Sequence, residues 1–396
     1  MTVVATCIEI IMGRAVSNIS IQDRIDRVTR LANQGLWFPH SSEKMTGVPV
    51  DPDITNVLAY ISARKGISRG IIDDAYLDKL PGAIHQGTLL DRARGAMIGC
   101  AVGDALGTTL EFTQPGTFDP ISDIIGGGPF NLKPGEWTDD SSMLLCLAHS
   151  LTRSRGFNLQ DQIELYVKWW KEGAFSVTAE CFDIGITVTT ALEDYLRTGD
   201  PVSGPTDKYS AGNGSLMRLA PVPIFYHQNF KDAVAYAGQS SLSTHGALEA
   251  VDACRYFGAL IWGALNGVTK AELLDGVYSA VDGYWTSSPL CESVVTIAES
   301  IGTLENSQNS IRGTGYVIDT LRAALWAFAT TDNFEDGLLK VVNLGEDADT
   351  TGAIYGQLAG AYYGERQIPQ RWVEKIKYNY FFYQKASELV QSGSES

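Results

Sequence analysis

The sequence is short of positive charge. Its 396 residues include 30 Lys and Arg against 46 Asp and Glu, which gives a net charge of −16 at pH 7. Because Lys and Arg neutralise the phosphates that nucleic-acid-binding proteins contact, we expect no nucleic-acid partner. The whole excess lies after residue 88, since residues 1–88 carry nine acidic and nine basic side chains. Carboxylates concentrated in one region form a solvated acidic surface, or they supply the oxygen ligands of hard divalent cations.

Closely spaced cysteines and long apolar runs are also missing. The six cysteines are too far apart for the C-x-x-C pair of a metal or redox site; they stand at positions 7, 100, 146, 181, 254 and 291. Cys100 and Cys146 lie in apolar helical patterns, where a free thiol behaves as a small hydrophobic group. No uncharged apolar run reaches the ~20 residues of a transmembrane helix. The apolar N-terminus contains Glu9 and lacks the basic region of a signal peptide, so we expect a cytoplasmic protein in a reducing compartment, with no membrane partner.

From residue 89 onward, apolar residues recur at helical spacing, and turns rich in Gly, Pro, Asn and Asp separate the segments. The clearest segments cover residues 163–170, 247–264, 316–328 and 352–363. Strict period-two alternation, the sign of β-strands, is scarce. The pattern predicts an all-α domain over residues 89–390 and a flexible tail at 391–396.

Glycine recurs at every fourth position in two of the predicted helices. The two rows are Gly95, Gly99, Gly103, Gly107 and Gly352, Gly356, Gly360, Gly364. Each Gly inside a helix costs about 1 kcal/mol relative to Ala, so rows of four need a compensating gain. Positions four apart lie on one helix face, where glycine lets another backbone approach closely. We therefore predict that these two helices pack tightly in the core of one domain.

Two acidic clusters, each directly before a helix, carry the strongest signal for chemistry. They are EWTDDSS at 136–142 and GEDADTT at 345–351. Taken singly, each is explained as a helix cap, because Thr and Asp cap helices and acids suit the positive end of the helix dipole. Two such clusters with adjacent hydroxyls suggest one shared site. Converging carboxylates repel one another, and two divalent ions about 4 Å apart would neutralise them, orient substrate oxygens and activate a water.

Six blocks of the sequence, in order, resemble the ADP-ribosylglycohydrolase family, the all-α family of dinitrogenase reductase-activating glycohydrolase and the ADP-ribosylarginine hydrolases. The blocks are GAMIGCAVGDALGTTLEF, GEWTDDSSM, CFDIG, SAGNGSLMRLAPVPI, STHGALEAVDACRYFGALI and LGEDADTTGAIYGQLAGAYYG. The resemblance, over about 89–385, implies a compact multi-helix fold with a dinuclear Mg²⁺ or Mn²⁺ centre that engages the distal ribose hydroxyls. The metal ligands it implies are Thr138, Asp139, Asp140, Asp347, Asp349 and Thr350. Whether a metal or a carboxylate activates the attacking water stays open at this point.

The resemblance also assigns acids outside the two clusters. Glu111 matches an acid close to the metals, with a surface-loop acid as the alternative. Asp183 in CFDIG matches an acid that the arginine-directed branch carries near the scissile bond, with an N-cap of the following helix as the alternative. A carboxylate there can accept two hydrogen bonds from a guanidinium leaving group. The expected catalytic carboxylates are Glu111, Asp139, Asp140, Asp183 and Asp349.

The expected substrate-binding residues come from a glycine-rich turn and a histidine. Backbone N–H groups of such a turn can wrap a pyrophosphate, although a bare G-N-G predicts only a turn. With the resemblance, the expected residues are Asn213, Gly214, Ser215 and His245. For Arg218 two roles stay open, a phosphate contact or a structural salt bridge. Asp104 in GDALG is expected to be a structural hydrogen-bonding group.

Residues 1–88 precede the resemblance and contain no motif that indicates chemistry. This N-terminal extension is predicted to be a small helical subdomain or a partner-binding arm, of the kind that immunity-type members carry against an ADP-ribosyltransferase toxin; a cap that only stabilises the fold is the alternative. Three functions follow. The intact ligand set favours a metal-dependent hydrolase that removes ADP-ribose from arginine of a modified protein. The others are a toxin-neutralising protein acting through residues 1–88 and a hydrolase of another ADP-ribosyl linkage.

Overall fold

The computed structural model describes residues 27–28, 30–36, 87–301 and 311–395 of the chain. Their regular structure is helical, apart from two isolated β-bridges that pair Gly127 with Leu132 and Gly212 with Tyr316. The predicted all-α fold is confirmed. Among these residues we find no helix with the length and apolar character needed to cross a bilayer.

The α-helices after residue 87 are labelled α1 to α15 in chain order. They are α1 Leu89–Gly107, α2 Asp139–Ser154, α3 Leu159–Glu172, α4 Ile186–Thr198, α5 Pro221–Phe225, α6 Phe230–Ser241, α7 Leu248–Leu265, α8 Lys270–Leu273, α9 Tyr284–Ser287, α10 Glu292–Ser300, α11 Val317–Ala329, α12 Phe334–Val342, α13 Ala348–Tyr363, α14 Gln370–Val373 and α15 Asn379–Glu395. Within the described residues, short 3₁₀ helices cover Lys208–Ser210 and Glu365–Gln367.

The centre of the fold is the antiparallel pair of glycine-rich helices, α1 and α13. A Cβ added to Gly103 would overlap the carbonyl oxygen of Gly352, and one added to Gly99 would overlap that of Gly356. The two backbones therefore touch along their whole length, which confirms the predicted close packing. Helices α7, α11 and α12 pack on α13, and α15 packs on α1.

This helix pair brings the two acidic clusters together. Because α1 and α13 are antiparallel, the last turn of α1 lies beside the first turn of α13. The last turn of α1 also holds the start of α2: the Asp104 carboxylate accepts hydrogen bonds from the backbone N–H of Thr138 (2.9 Å) and from the backbone N–H (3.1 Å) and Oγ (2.7 Å) of Ser141. The expected structural role of Asp104 is confirmed. The two acidic clusters therefore lie next to each other at the same end of the α1–α13 pair.

A small part of the N-terminal extension packs on the helical domain. Val28, Leu31 and Leu36 are buried and belong to its apolar core. The Leu36 carbonyl accepts a hydrogen bond from the backbone N–H of Phe175 (3.1 Å). Phe175 lies in the loop between α3 and α4. The rest of the predicted extension lies outside the described residues.

Helical structure extends further at the C-terminus than the sequence indicates. We expected a flexible tail from residue 391, but α15 continues to Glu395. Gly393 lies so close to the Phe225 carbonyl that an added Cβ would overlap it. This contact is tertiary, so the polar sequence of the segment does not reveal it.

Candidate active site

The predicted ligands meet at a cleft of about 670 Å³. Its lining includes six of the predicted acids and hydroxyls: Glu111, Asp139, Asp183, Asp347, Asp349 and Thr350. Thr138 and Asp140 do not line the cleft, because both are fully buried beneath these acidic residues, which form its floor. The Asp140 carboxylate accepts from Thr138 Oγ1 (3.3 Å) and from Thr350 Oγ1 (3.4 Å), so one oxygen joins the first cluster to the second. The expectation that the two clusters form one site is therefore met by the geometry.

Neither acidic cluster uses its side chains to cap a helix. Thr138 and Asp347 stand at the N-cap positions of α2 and α13, but neither side chain bonds to a first-turn N–H. By contrast, Asn158 caps α3 through its side chain. Asp347 Oδ2 instead accepts a hydrogen bond from Asn213 Nδ2 (2.7 Å). Thr138 Oγ1 donates to Asp140 Oδ2 (3.3 Å), so side-chain capping does not explain why these two residues stand at the helix starts.

Burial and mutual repulsion raise the pKa values of the carboxyl groups in this cleft. Burial is the largest cause for Glu111, whose pKa rises to about 9, and the charges of Asp183 and Asp347 add to it. Burial and then the charge of Asp347 raise the pKa of Asp183 to about 8. The pKa values of three more acids are raised well above the ordinary range by burial and neighbouring carboxylates: Asp139, Asp140 and Asp349.

The donor set of the cleft fits divalent cations. Glu111, Asp183 and Asp349 each offer a carboxylate oxygen, and these atoms lie within 4.8 Å of one another. Of the carboxylate oxygens in this acidic group, three are buried without a hydrogen-bond partner among the described residues: Glu111 Oε2, Asp140 Oδ1 and Asp349 Oδ1. A buried anionic oxygen without a partner is costly, and a hard cation would satisfy it and relieve the repulsion. The acidic cluster can therefore hold a metal ion.

We expect the metal-free protein to become less stable as the pH rises from 5 to 9. In the folded state Glu111 and Asp183, with pKa values of about 9 and about 8, hold protons that the unfolded chain has already released. Under that condition the free energy of unfolding falls with rising pH. Thermal unfolding in EDTA at pH 5, 7 and 9 measures the slope, and saturating Mg²⁺ should flatten it. A melting temperature in EDTA that is higher at pH 9 than at pH 5 would contradict this interpretation.

The structure rejects the alternative roles of Glu111 and Asp183. Glu111 is only 4% exposed, so it is not a surface-loop acid. The N-cap of α4 is Gly185, with no side-chain bond, so Asp183 does not cap that helix. Asp183 has a φ of 58°, a left-handed conformation that is uncommon outside glycine. One of its carboxylate oxygens lies within 4.8 Å of one from Glu111. Strain of this kind concentrates at functional sites.

The structure places three of the four expected substrate-binding residues on the cleft. Asn213, Gly214 and His245 line it. Ser215 does not, because it is fully buried behind the glycine turn, with its Oγ 2.8 Å from that of Ser241. Arg218 has neither of its two expected roles. It lies behind the cleft wall, and among the described residues it pairs with no carboxylate.

Sequence reasoning missed an ion pair at the mouth of the cleft. Arg312 pairs with Glu346, and both line the cleft. The sequence could have indicated Glu346, because it lies inside the second acidic cluster. Arg312 belongs to no motif, so no sequence pattern indicated it. The backbone of Glu346 also pairs with the loop after α1: its carbonyl accepts from the Phe112 N–H (2.6 Å), and its N–H donates to the Thr113 carbonyl (2.8 Å). This pairing holds the neighbouring Glu111 beside the second cluster.

Comparison with known proteins agrees with the geometry. The sequence model of the ADP-ribosylglycohydrolase family matches residues 85–395. The chain belongs to the ADP-ribosylglycohydrolase family. The resemblance that the motifs indicated is thereby confirmed, and residues 1–84 lie outside the part matched to the family.

Individual ADP-ribosylglycohydrolases are similar over most of their length. The chain is 40% identical to the ADP-ribosylarginine hydrolase Tri1 of Serratia proteamaculans (strain 568), over 76% of this chain and 79% of that protein. It is 42% identical to the Tri1 of Pseudomonas putida (strain GB-1), over 76% and 78%. Identity to the ADP-ribosyl-[dinitrogen reductase] glycohydrolase of Rhodospirillum rubrum is 30%, over 72% and 90%.

A solved structure has the same fold. It is described as an ADP-ribosylglycohydrolase-related protein complex, and it superposes with a TM-score of 0.66 at 40% sequence identity. The similarity covers 77% of this chain and 99% of that one.

Proposed function

We propose that this chain is a metal-dependent ADP-ribosylarginine hydrolase, which removes ADP-ribose from arginine side chains of modified proteins. The observation that carries the proposal is the position of Asp183, whose carboxyl group faces the acidic floor of the cleft beside Glu111. A carboxylate there can bind a guanidinium through two parallel hydrogen bonds, which suits arginine and not serine as the attachment point. Relatives 40% and 42% identical carry this activity in their names.

We propose further that the cleft holds two Mg²⁺ or Mn²⁺ ions. Six residues of the two clusters would bind them: Thr138, Asp139, Asp140, Asp347, Asp349 and Thr350. Bound there, divalent ions supply Lewis-acid chemistry, orienting ribose hydroxyls and favouring deprotonation of water. The unpaired oxygens of Asp140 and Asp349 support this assignment, because each lacks another partner.

Within this proposal, Glu111 and Asp183 divide the proton transfer and the binding of the leaving group. Glu111 accepts a proton from the attacking water, whose oxygen bonds to C1″ as the C1″–N bond to the arginine breaks. That proton passes to the departing guanidine, which leaves as guanidinium. The guanidinium of the substrate takes the electron pair of the broken C1″–N bond and then receives this proton, so it is cationic before and after the step. Asp183 binds the guanidinium group throughout and orients it for departure. Asn213 keeps Asp347 oriented through their 2.7 Å hydrogen bond.

Release of free ADP-ribose tests the proposal. An arginine-ADP-ribosylated protein should be hydrolysed with Mg²⁺ and not with excess EDTA, and restored Mg²⁺ or Mn²⁺ should restore turnover. A serine-linked substrate should react at least about tenfold more slowly, because it lacks the charged hydrogen bonds to Asp183. The Asp183→Asn variant should lose the preference for arginine. Faster release from serine, or turnover unchanged in EDTA, would refute the assignment.

We propose a second activity for residues 1–88: binding of a cognate ADP-ribosyltransferase. Two observations favour it. Residues 1–84 lie outside the part that matches the family. In addition, the Leu36 carbonyl accepts a hydrogen bond from the backbone N–H of Phe175, in the loop that also carries Asp183. A role in stabilising the fold is the competing explanation, because Leu31 and Leu36 are buried.

A variant lacking residues 1–26 separates these two roles, because it keeps the buried contacts of Leu31 and Leu36. An inactive Asp349→Asn protein should inhibit an arginine-specific ADP-ribosyltransferase of the same organism, and the same protein without residues 1–26 should not. The melting temperature should stay unchanged. No inhibition of the transferase by the inactive protein that keeps residues 1–26 would contradict the partner-binding role.

A further inference from the structure

A buried cation lies behind the cleft wall without a carboxylate partner. Arg218 is fully buried, and among the described residues it forms no ion pair. Its guanidinium carbon lies 4.4 Å from the centre of the Tyr166 ring, and Nη2 donates a hydrogen bond to Thr244 Oγ1 (2.7 Å). A buried charge without a counter-ion is costly, which points to a role beyond packing.

Thr244 connects this cation to His245. Because arginine can only donate, Arg218 occupies a lone pair of Thr244 Oγ1 and leaves the hydroxyl hydrogen free. His245 Nδ1 lies 2.9 Å from the same oxygen. Because no other acceptor for the hydroxyl hydrogen occurs among the described residues, the arrangement favours donation from Thr244 Oγ1 to Nδ1. With Nδ1 accepting, the neutral imidazole carries its hydrogen on Nε2.

The position of the His245 ring is closely determined. Its backbone N–H donates to the Ser241 carbonyl (2.7 Å), and its carbonyl accepts from Ser241 Oγ (2.7 Å). The far edge of the ring lies against the glycine turn: a Cβ added to Gly214 would be 2.8 Å from Cε1, and one added to Gly212 would be 3.2 Å from Nε2. All three residues line the cleft, and the Cε1–Nε2 edge of the ring is the edge that lies beside this turn.

His245 is neutral in this setting. Burial, followed by the charge of Arg218, lowers the pKa of His245 to about 3. A neutral ring with hydrogen on Nε2 donates to the cleft and cannot accept there. It therefore suits an acceptor oxygen of a ligand, and it forms no ion pair with the carboxylates of the floor.

We propose that Arg218 and Thr244 are positioning residues that hold His245 as an Nε2–H donor to an acceptor oxygen of bound ADP-ribose. The inference rests on the proposed function for the identity of the ligand. The tautomer of the free protein does not depend on that function, so the two can fail separately.

A long-range ¹H–¹⁵N correlation spectrum of histidine-labelled protein reads the tautomer directly. The His245 signals are assigned by their loss in His245→Gln. We expect a bare Nδ1 and a protonated Nε2 in the unchanged protein and in Thr244→Ser, which keeps the hydroxyl. Thr244→Val removes the donor at equal size, so the Nδ1 resonance should move to the position of an unprotonated nitrogen that accepts no hydrogen bond. A protonated Nδ1 in the unchanged protein, or an unaltered spectrum in Thr244→Val, would overturn the proposal.

Affinity for ADP-ribose, measured by calorimetry with Mg²⁺ present, supplies the functional half of the test. Loss of one well-placed hydrogen bond should raise the Kd of Thr244→Val about tenfold, whereas Thr244→Ser should bind within about twofold of the unchanged protein. Equal Kd values for the valine and serine variants would overturn the role of Thr244 in binding. If the unchanged protein does not bind ADP-ribose, the proposed function fails, and the spectrum alone decides the positioning role.

Discussion

Replacing Asp349 with Asn should abolish hydrolysis and, without metal, make the folded protein more stable. Asp349 is 1% exposed, and its Oδ1 has no hydrogen-bond partner. The change removes one anionic ligand from the cation site, and several kcal/mol of transition-state stabilisation correspond to about a thousandfold or more in rate. It also removes one acidic group from a buried cluster of carboxylates whose pKa values are raised by burial and mutual repulsion. The folded state without metal therefore becomes more stable.

Two measurements follow on the same protein. Release of ADP-ribose from an arginine-linked substrate gives the activity, and thermal unfolding at pH 8 in EDTA gives the stability, which should rise by at least about 2 °C. Asp332→Asn is the matched control, since Asp332 is exposed and outside the cleft, and it should change neither quantity. An Asp349→Asn protein that keeps a tenth of the activity, or that melts lower than the unchanged protein in EDTA, would show that the site does not work as proposed.

Replacing Gly103 with Ala should cost about 3 kcal/mol or more of folding stability, the upper end of the range for overpacking a tight core. The new methyl group would overlap the carbonyl oxygen of Gly352, and backbone cannot move aside as a flexible side chain does. The cost should outweigh the ~1 kcal/mol that Ala gains over Gly in helix propensity. Because α1 and α13 also align the two acidic clusters, metal affinity should fall as well.

Urea-induced unfolding of Gly103→Ala measures the loss. Gly185→Ala is the comparison, because nothing lies within 4 Å of the position of its Cβ and its φ is ordinary. As an N-cap glycine it should cost less than about 1 kcal/mol. Equal losses in the two variants would mean that the contact between α1 and α13 is not the reason for the glycine rows.

The glycine rows and acidic clusters can be interpreted from the amino-acid sequence, because each pattern is local and repeated. A four-residue period marks one face of a helix, and the cost of Gly inside a helix demands a close neighbour. The clusters are ambiguous singly, since Thr and Asp also cap helices. The structure removes the ambiguity, because Thr138 and Asp347 stand at N-cap positions without capping.

The residues that sequence reasoning placed wrongly or missed depend on contacts between distant segments. Ser215 lies in the motif but faces the interior, and Arg218 binds a threonine hydroxyl instead of a phosphate or a carboxylate. Arg312 reaches the cleft from a segment without a motif. In each case the orientation of a side chain is decided by its neighbours in space.

Sequence patterns were sufficient to predict the all-α class, the tight helix pair and the meeting of the two acidic clusters in one site. Helical periodicity and the repulsion between carboxylates act over short stretches of sequence, so few arrangements of these elements satisfy both. The meeting of Glu111 and Asp183, by contrast, is set by tertiary packing. Their carboxyl groups come from separate loops, and Asp183 adopts a left-handed conformation that its local sequence does not favour. Packing around those loops compensates for this strain, and no local pattern records that compensation.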